Sequence, residues 1–494
     1  MDLPTIEPES TITDASKTIC IIGAGPAGLA ALKIILDSSQ YRAEQWKPTA
    51  FEARGCVGGV WVPAPPTPTD DPPLTPLYDS LTTNLPHPIM AFTSYSFPPS
   101  TPLFPHAPVV HKYLEDYADH FHLRQHIKLT TTVDAVERDA SRWKVKISTG
   151  EILHFDLVLV CNGHYRVPRY PNTPGVAQWL SSGRAKHSAW YRRPHNLGDI
   201  VLVVGGGPSG TDISAEMRTA ARTVIHSLTG AAREDIGNLK RRGRVSRFGE
   251  NGEVTFEDGT TETGISYCIL ATGYEVSFPF LSKDIVHPEL PPPAPPLPSE
   301  LFNSTYSVFP LAKHLFPLQN AFPPTSLAFL GLLVKVAPFP LLEAQARAVV
   351  QAFANPATLN PAQEAVDIIT RYEELRAEFG DDQLAIMEAW HRFKALEQFD
   401  YRDDLCKFAG SELSAIWSGQ DGYMKVPQWE KDAYCNKDLL RKAWIKLEES
   451  NEAEGWVHGV GKNGPHEWID LMERLFKWAK EKGIHVEELD KSKL

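Results

Sequence analysis

The stretch T-I-C-I-I-G-A-G-P-A-G, Thr18 to Gly28, is the one whose reading decides the fold. Thr18 to Ile22 is a short apolar run with no polar alternation, the pattern of a parallel strand buried on both faces. It ends in Gly23-Ala24-Gly25-Pro26-Ala27-Gly28, and helical spacing follows from Ala27 to Asp37. A G-x-G-x-x-G match gains meaning only between a strand and a helix, which is its place here. Gly23 permits the tight turn, Gly25 lets backbone approach a pyrophosphate, and Gly28 lets helix and strand pack closely. The pyrophosphate would rest on the unsatisfied N–H groups and positive dipole of the helix N-terminus. Glu52 closes the next strand, near the spacing of about 20 residues expected of a ribose-binding acid. A carboxylate there accepts from both ribose hydroxyls and repels a 2′-phosphate, so the first site suits an unphosphorylated dinucleotide such as FAD.

The pattern recurs. Ile200 to Val204 leads into Gly205-Gly206-Gly207-Pro208-Ser209-Gly210, with a helix expected from Ser209 to Ala221. The following strand, Thr223 to Ser227, ends without an acid; Ser227, Thr229 and Arg233 stand in its place. Hydroxyls and a cation suit a 2′-phosphate, which points to NADPH. Arg233 precedes Glu234 and Asp235, and an ion pair with them is its alternative use. Two dinucleotide sites on one chain imply hydride transfer between them. The expected class is α/β, with two Rossmann-type domains and a helical C-terminal region.

Between these motifs, residues 63–108 are crowded with proline and lack helical period, so they should form a long excursion of the kind that often covers a ligand. A polar helix near Val110 to His122, strands at Lys128 to Glu137 and Trp143 to Ser148, and buried strands at Phe155 to Cys161 and Ile265 to Thr272 complete the first two thirds. Pro288 to Pro298 reads as an extended spacer. Helices are expected at Leu341 to Phe353, Ala362 to Phe379, Asp382 to Gln398, Asp438 to Glu449 and Glu467 to Lys482, their tryptophans serving the core.

The 494 residues carry a formal net charge of -12, against the clustered basic surface that nucleic acid requires. The basic cluster Lys240-Arg241-Arg242, with Arg244 and Arg247, reads as a solvated loop, a contact to cofactor phosphate being the lesser alternative. The six cysteines form no C-x-x-C pair and no zinc spacing, which suits a reducing compartment and no metal. The longest apolar stretch, Leu327 to Leu342, is broken by Lys335, Pro338 and Pro340, so no membrane helix is expected. Ser492-Lys493-Leu494 matches a peroxisomal import address, making an import receptor an expected partner; otherwise the chain would be cytoplasmic.

Further segments resemble one family. Phe51-Glu52-Ala53-Arg54 followed by Gly58-Gly59-Val60-Trp61 is similar to the F-E-x and G-G-x-W flavin segment of class B flavin monooxygenases, in their flavin-containing (dimethylaniline-type) group. Ser80 to Met90 resembles its T-N-x-P/S segment, Gly207 to Ile213 its NADP loop, and Ala271-Thr272-Gly273-Tyr274 its A-T-G-Y. The fingerprint F-x-G-x-x-x-H-x-x-x-Y/F is present as Gly183, His187 and Tyr191, with Ser181 in place of Phe.

The resemblance implies a soluble enzyme in which NADPH reduces FAD, O2 adds at the flavin C4a, and the hydroperoxide oxygenates a nucleophilic nitrogen or sulfur of a small molecule. The substrate supplies the nucleophile, so no triad or carboxylate pair is needed; the protein excludes water and donates hydrogen bonds. It assigns Asn84 the catalytic role. Val60, Trp61, Thr83, Leu85, Val133 and Gln345 are placed at the flavin, and Ser209, Gly210, Thr211 and Asp212 at the NADP pyrophosphate, with Asp212 buttressing the helix start. His187 is left between a satisfied histidine and a cofactor contact. The expected domains are FAD-binding over 14–195, completed by 275–350, NADP-binding over 196–274, and helical over 351–494. A homodimer is compatible with this reading, and no motif addresses it. Baeyer-Villiger oxidation of ketones is the nearest alternative, disfavoured by Tyr191-Arg192; a non-oxygenating NADPH:flavin reductase is the other.

Overall fold

The computed structural model describes residues 16–69, 71–410 and 425–485. The tripeptide Ser492-Lys493-Leu494 and the expected domain start at residue 14 lie outside them. Two parallel sheets organise the chain. In the first, strands run in the order Leu327–Phe329, Leu157–Val160, Lys17–Ile22, Trp46–Phe51 and Ile127–Lys128, all parallel. Ile19, Cys20 and Ile21 have no exposed surface, as the unalternated apolar run requires. The helix Pro26–Asp37 covers one face and packs against the helix Pro338–Ala354. Pro338 and Pro340 fall in that helix's first turn, where a missing N–H costs little. They start a buried helix here, and among the described residues no helix is long and apolar enough to cross a membrane.

The second sheet has the order Glu234–Ile236, Leu239–Arg242, Thr223–Ser227, Ile200–Val204, Tyr267–Leu270, Ala185–His187, parallel except for the outermost Glu234–Ile236. Ala185–His187 supplies its last strand from ahead of residue 196, so the expected 195/196 boundary falls after that strand. An open edge on Tyr267–Leu270 demands a partner, and this segment provides it. The basic cluster is likewise in strands: Lys240, Arg241 and Arg242 belong to Leu239–Arg242, and Arg247 to Val245–Phe248. Arg242 is fully buried, paired with Asp235 at 2.6 Å and Glu262 at 2.6 Å, which corrects the solvated-loop expectation.

Residues 63–108 are largely irregular, with one short helix at His87–Met90 before the helix Ala107–His120. The proline spacer is not extended throughout: the chain bends at 288–289 and 294–296, with cis bonds at Ala294-Pro295 and Pro295-Pro296, and it docks on the C-terminal helices, Gln383 donating to the Pro291 carbonyl at 3.1 Å. The helix expected over Asp382 to Gln398 is two, Gln383–Ala389 and Glu397–Ala409. The break lets Trp390 stack edge-on to Phe309, and lets His391 accept from the Val308 N–H at 3.2 Å. Trp390, Trp444 and Trp468 are core residues.

Candidate functional site

Each glycine turn is built by the same two steric closures. At Gly23, with φ +102°, a Cβ would lie 2.6 Å from the Cys161 carbonyl oxygen; at Gly28 it would lie 1.9 Å from the Gly23 oxygen. At Gly205, with φ +124°, it would lie 2.2 Å from the Ala271 oxygen, and at Gly210, 2.0 Å from the Gly205 oxygen. The outer glycines thus press the helix onto its strand, and the middle one is left for a ligand. Gly207 meets nothing within 4 Å, while Gly25 touches only Gly59. Gly25 and Gly207 are also the N-caps of their helices, with no side-chain cap to satisfy the first N–H groups. Uncapped donors and a positive dipole over backbone bared of side chains fit a pyrophosphate at both ends.

The flavin-type segment folds back on the first turn. Gly58 donates to the Ala24 carbonyl at 3.0 Å, and Gly59 lies so close to Gly25 that a Cβ there would come within 2.8 Å of Gly25 Cα. Arg54, to which no role was given from the sequence, ties the segment together by donating to the carbonyls of Gly59, Val62 and Pro63. Glu52 is buried; its Oε2 accepts from Ala24 N–H at 2.8 Å and its Oε1 from Arg54 N–H at 2.9 Å. The carboxylate therefore braces the turn and keeps lone pairs for a ribose. Val60 and Trp61, in the 3-10 turn Gly59–Trp61, are half-buried.

In T-N-L-P the chain turns three side chains inward, Thr83, Leu85 and Pro86, and one outward. Thr83 is buried, its N–H bound to the Pro105 carbonyl and its hydroxyl donating to the Leu85 carbonyl at 2.8 Å. Leu85 is buried in the core built around the helix Pro26–Asp37. Asn84 between them is exposed. Thr83 and Leu85 thus flank the exposed Asn84 with buried side chains.

Several other residues have different partners from those expected. Asp212 does not buttress its helix start: it accepts from Tyr78 and from Arg441. Gln345 is fully buried, its Oε1 accepting from Gly331 N–H at 3.1 Å and its amide donating to Tyr401 Oη at 3.3 Å. It holds the loop beside Ala27, where a Cβ at Gly331 would lie 3.8 Å from Ala27 Cβ. Ser227 is buried and donates to the Gly243 carbonyl at 2.9 Å, which leaves Thr229 and Arg233 as the exposed groups at that strand end. Arg233 is 4.0 Å from Glu262, a loose pair that leaves its guanidinium half exposed. Val133 is buried in a core that includes Cys20, Phe51, Val158 and Phe329 of the first sheet. Ser209 is half-buried and Thr211 exposed on the helix that starts at the second turn.

His187 is a satisfied histidine. Its Nδ1 accepts from Ala189 N–H at 3.1 Å, which leaves Nε2 to donate to the Gly273 carbonyl at 2.9 Å. Burial holds its pKa down at about 4, so the ring is neutral. The fingerprint histidine and A-T-G-Y meet through this bond. His226, missed in the sequence, does the same for the second turn, with Nε2 2.9 Å from the Gly205 carbonyl and Nδ1 3.2 Å from Ser214 Oγ.

A family model described as flavin-binding monooxygenase-like matches residues 16–234 and 231–412. The Arabidopsis thaliana flavin-containing monooxygenase FMO GS-OX3 is 30% identical over 468 residues, covering 87% of this chain and 94% of that protein. The solved S-allyl-L-cysteine S-oxygenase of Allium sativum superposes with a TM-score of 0.71 at 27% identity, covering 94% and 98% of the two chains. A closed cyclohexanone monooxygenase shares the fold at a TM-score of 0.53 and 14% identity, covering 83% and 99%.

Proposed function

The chain belongs to the flavin-binding monooxygenase-like family, and from that premise we propose that the atom it oxygenates is a thioether sulfur and that Asn84 stands at the reacting centre. It is an FAD- and NADPH-dependent monooxygenase that uses O2 to oxygenate a nucleophilic sulfur or nitrogen of a small molecule. The balance is substrate + O2 + NADPH + H⁺ → oxygenated substrate + H2O + NADP⁺. Bound FAD supplies the redox chemistry, taking hydride from NADPH and activating O2. The chain's own residues hold the two dinucleotides on uncapped helix ends, brace the first turn through Glu52, and present the Asn84 amide from between two buried neighbours.

Asn84's exposure carries the reading, since it is the side chain of T-N-L-P left open to a ligand. An amide donates and accepts hydrogen bonds and takes up no proton. A thioether is a nucleophile at any pH, whereas an alkylamine must first lose its proton, so a site built around an amide favours sulfur. Similarity to an S-oxygenase across nearly the whole chain supports the same choice. The test offers methyl p-tolyl sulfide and the alkylamine N,N-dimethylbenzylamine at equal concentration and quantifies sulfoxide and N-oxide by mass spectrometry. Sulfoxide should dominate from pH 6 to 9; N-oxide forming faster throughout would overturn the sulfur assignment. Asn84→Ala should still oxidise NADPH but form less product per NADPH, and a wild-type ratio would remove Asn84 from the centre.

Peroxisomal import belongs to this proposal and is supported by Ser492-Lys493-Leu494 alone. Deleting the tripeptide from a fluorescent fusion should move it from punctate bodies to the cytosol.

A further inference from the structure

Asp212 is where three separated parts of the chain meet. It lies on the helix Pro208–Met217, whose N-terminus is the second glycine turn. From the irregular excursion, Tyr78 Oη donates to its Oδ2 at 2.7 Å. From the helix Lys437–Glu449, Arg441 donates through both terminal nitrogens, one to each carboxylate oxygen, at 3.0 Å and 3.0 Å. The same guanidinium reaches Thr82 Oγ1 at 3.3 Å, two residues ahead of Asn84. The paired side chains are only 21% and 19% exposed, so salt screens this pair less than a surface one. Its two-pronged geometry fixes direction as well as distance.

The neighbouring contacts lead to the same place. Tyr78 packs edge-on to Tyr191, whose hydroxyl donates to Glu216 on the Asp212 helix at 2.7 Å. Arg192 donates to the carbonyls of Thr75 at 2.9 Å and Ala64 at 3.2 Å, and Trp190 to Thr67 Oγ1 at 3.2 Å. These side chains, together with the Asp79 N–H donating to the Arg192 carbonyl at 3.1 Å, tie the early part of the excursion to the segment around Tyr191. Arg441 differs from the rest in its origin. Leu440, Ala443, Trp444 and Leu447 of its helix belong to the core of the first domain. Arg441 therefore joins that core to the second dinucleotide unit and to the strip bearing Asn84.

We propose that Arg441 is a positioning residue for oxygen transfer: by gripping Asp212 and Thr82 with one guanidinium, it sets the spacing between the second dinucleotide turn and Asn84. The proposal rests on the reading of Asn84 as the residue at the reacting centre. Without Arg441 the two parts lose their common anchor, while each glycine turn keeps its own closures. NADPH still delivers its hydride, but the oxygen is released unused: O2 + NADPH + H⁺ → H2O2 + NADP⁺. The effect falls on the ratio of product to NADPH consumed, which a purely structural role would leave unchanged in the surviving folded enzyme.

The experiment uses FAD-loaded full-length Arg441→Gln, Arg441→Lys, Tyr78→Phe and Asn84→Ala, with methyl p-tolyl sulfide as probe. It measures sulfoxide, H2O2 and NADPH consumed, together with flavin content and Tm. Arg441→Gln should lower sulfoxide per NADPH by about fivefold, with a matching rise in H2O2. Arg441→Lys, which keeps the charge and loses the fork, should fall between it and wild type. Tyr78→Phe removes one hydroxyl, should show a smaller loss of coupling, and carries the test if Arg441→Gln does not fold. A wild-type ratio in Arg441→Gln, or slower turnover at an unchanged ratio, overturns the proposal. Uncoupling in Asn84→Ala without uncoupling in Arg441→Gln refutes the positioning role alone. A coupled Asn84→Ala refutes the reading of Asn84 on which that role rests.

Discussion

Replacing Glu52 by Gln should loosen FAD without disturbing the NADPH turn. Both carboxylate oxygens are in use, Oε2 on the Ala24 N–H and Oε1 on the Arg54 N–H. Glutamine is isosteric, but one of its two polar ends is an NH2 group. Whichever way the amide is flipped, one backbone donor faces another donor in a pocket where residue 52 is only 6% exposed. Leaving a buried donor unsatisfied costs about 1–3 kcal/mol. The turn that receives the pyrophosphate is what these bonds hold, so the FAD dissociation constant should rise by about 5- to 150-fold. The assay titrates deflavinated protein with FAD and follows quenching of flavin fluorescence, with the dissociation constant of NADP⁺ as internal control. Glu52→Asp separates charge from reach: it keeps the carboxylate but is one methylene short of the two donors. If Glu52→Gln binds FAD as tightly as wild type, the carboxylate does not hold the turn, and the sequence assignment of Glu52 to the ribose fails with it.

Gly205→Ala drives a Cβ to within 2.2 Å of the Ala271 carbonyl at a backbone φ of +124°, so flavin reduction by NADPH should be nearly abolished while FAD content stays at wild-type level, as stopped-flow absorbance and flavin content will show. Gln345→Leu strips the Gly331 N–H of its buried acceptor and should cost about 1–3 kcal/mol in urea unfolding, whereas an unchanged midpoint would place no weight on that bond. Stability should also depend on pH through His187, whose pKa burial lowers from 6.5 to about 4. The folded state binds the neutral ring, so this contribution is complete above about pH 6.5, falls as pH drops through that window, and is gone below about 4. It amounts to about 3 kcal/mol, and a His187→Gln enzyme should show a flatter denaturation profile between pH 7 and 4.

The two glycine turns were legible because their constraints are local. A strand, a backbone that tolerates no Cβ at two positions, and a helix start lie within a dozen residues, and each requirement maps onto one residue type. The missing acid after Ser227 was legible for the same reason. The helical tail was read less well. Asp382 to Gln398 has continuous helical spacing, yet the chain leaves the helix so that Trp390 and His391 can be buried against Phe309 and Val308, which lie on a distant segment. Ser227 was chosen by its position at a strand end, and its burial under Gly243 depends on a neighbouring strand that spacing does not reveal.

By itself the amino-acid sequence determined the class of the fold and its two strand–glycine turn–helix units, since these follow from short-range sterics. Only the tertiary structure decided what the individual polar groups hold. Asp212 meets Arg441 across 229 residues and Tyr78 across 134; His187 meets Gly273 across 86, and Gln345 meets Tyr401 across 56. A hydrogen bond is set by position and direction to within a fraction of an ångström. Residues so far apart in the chain acquire that position only when the two sheets and the C-terminal helices pack together.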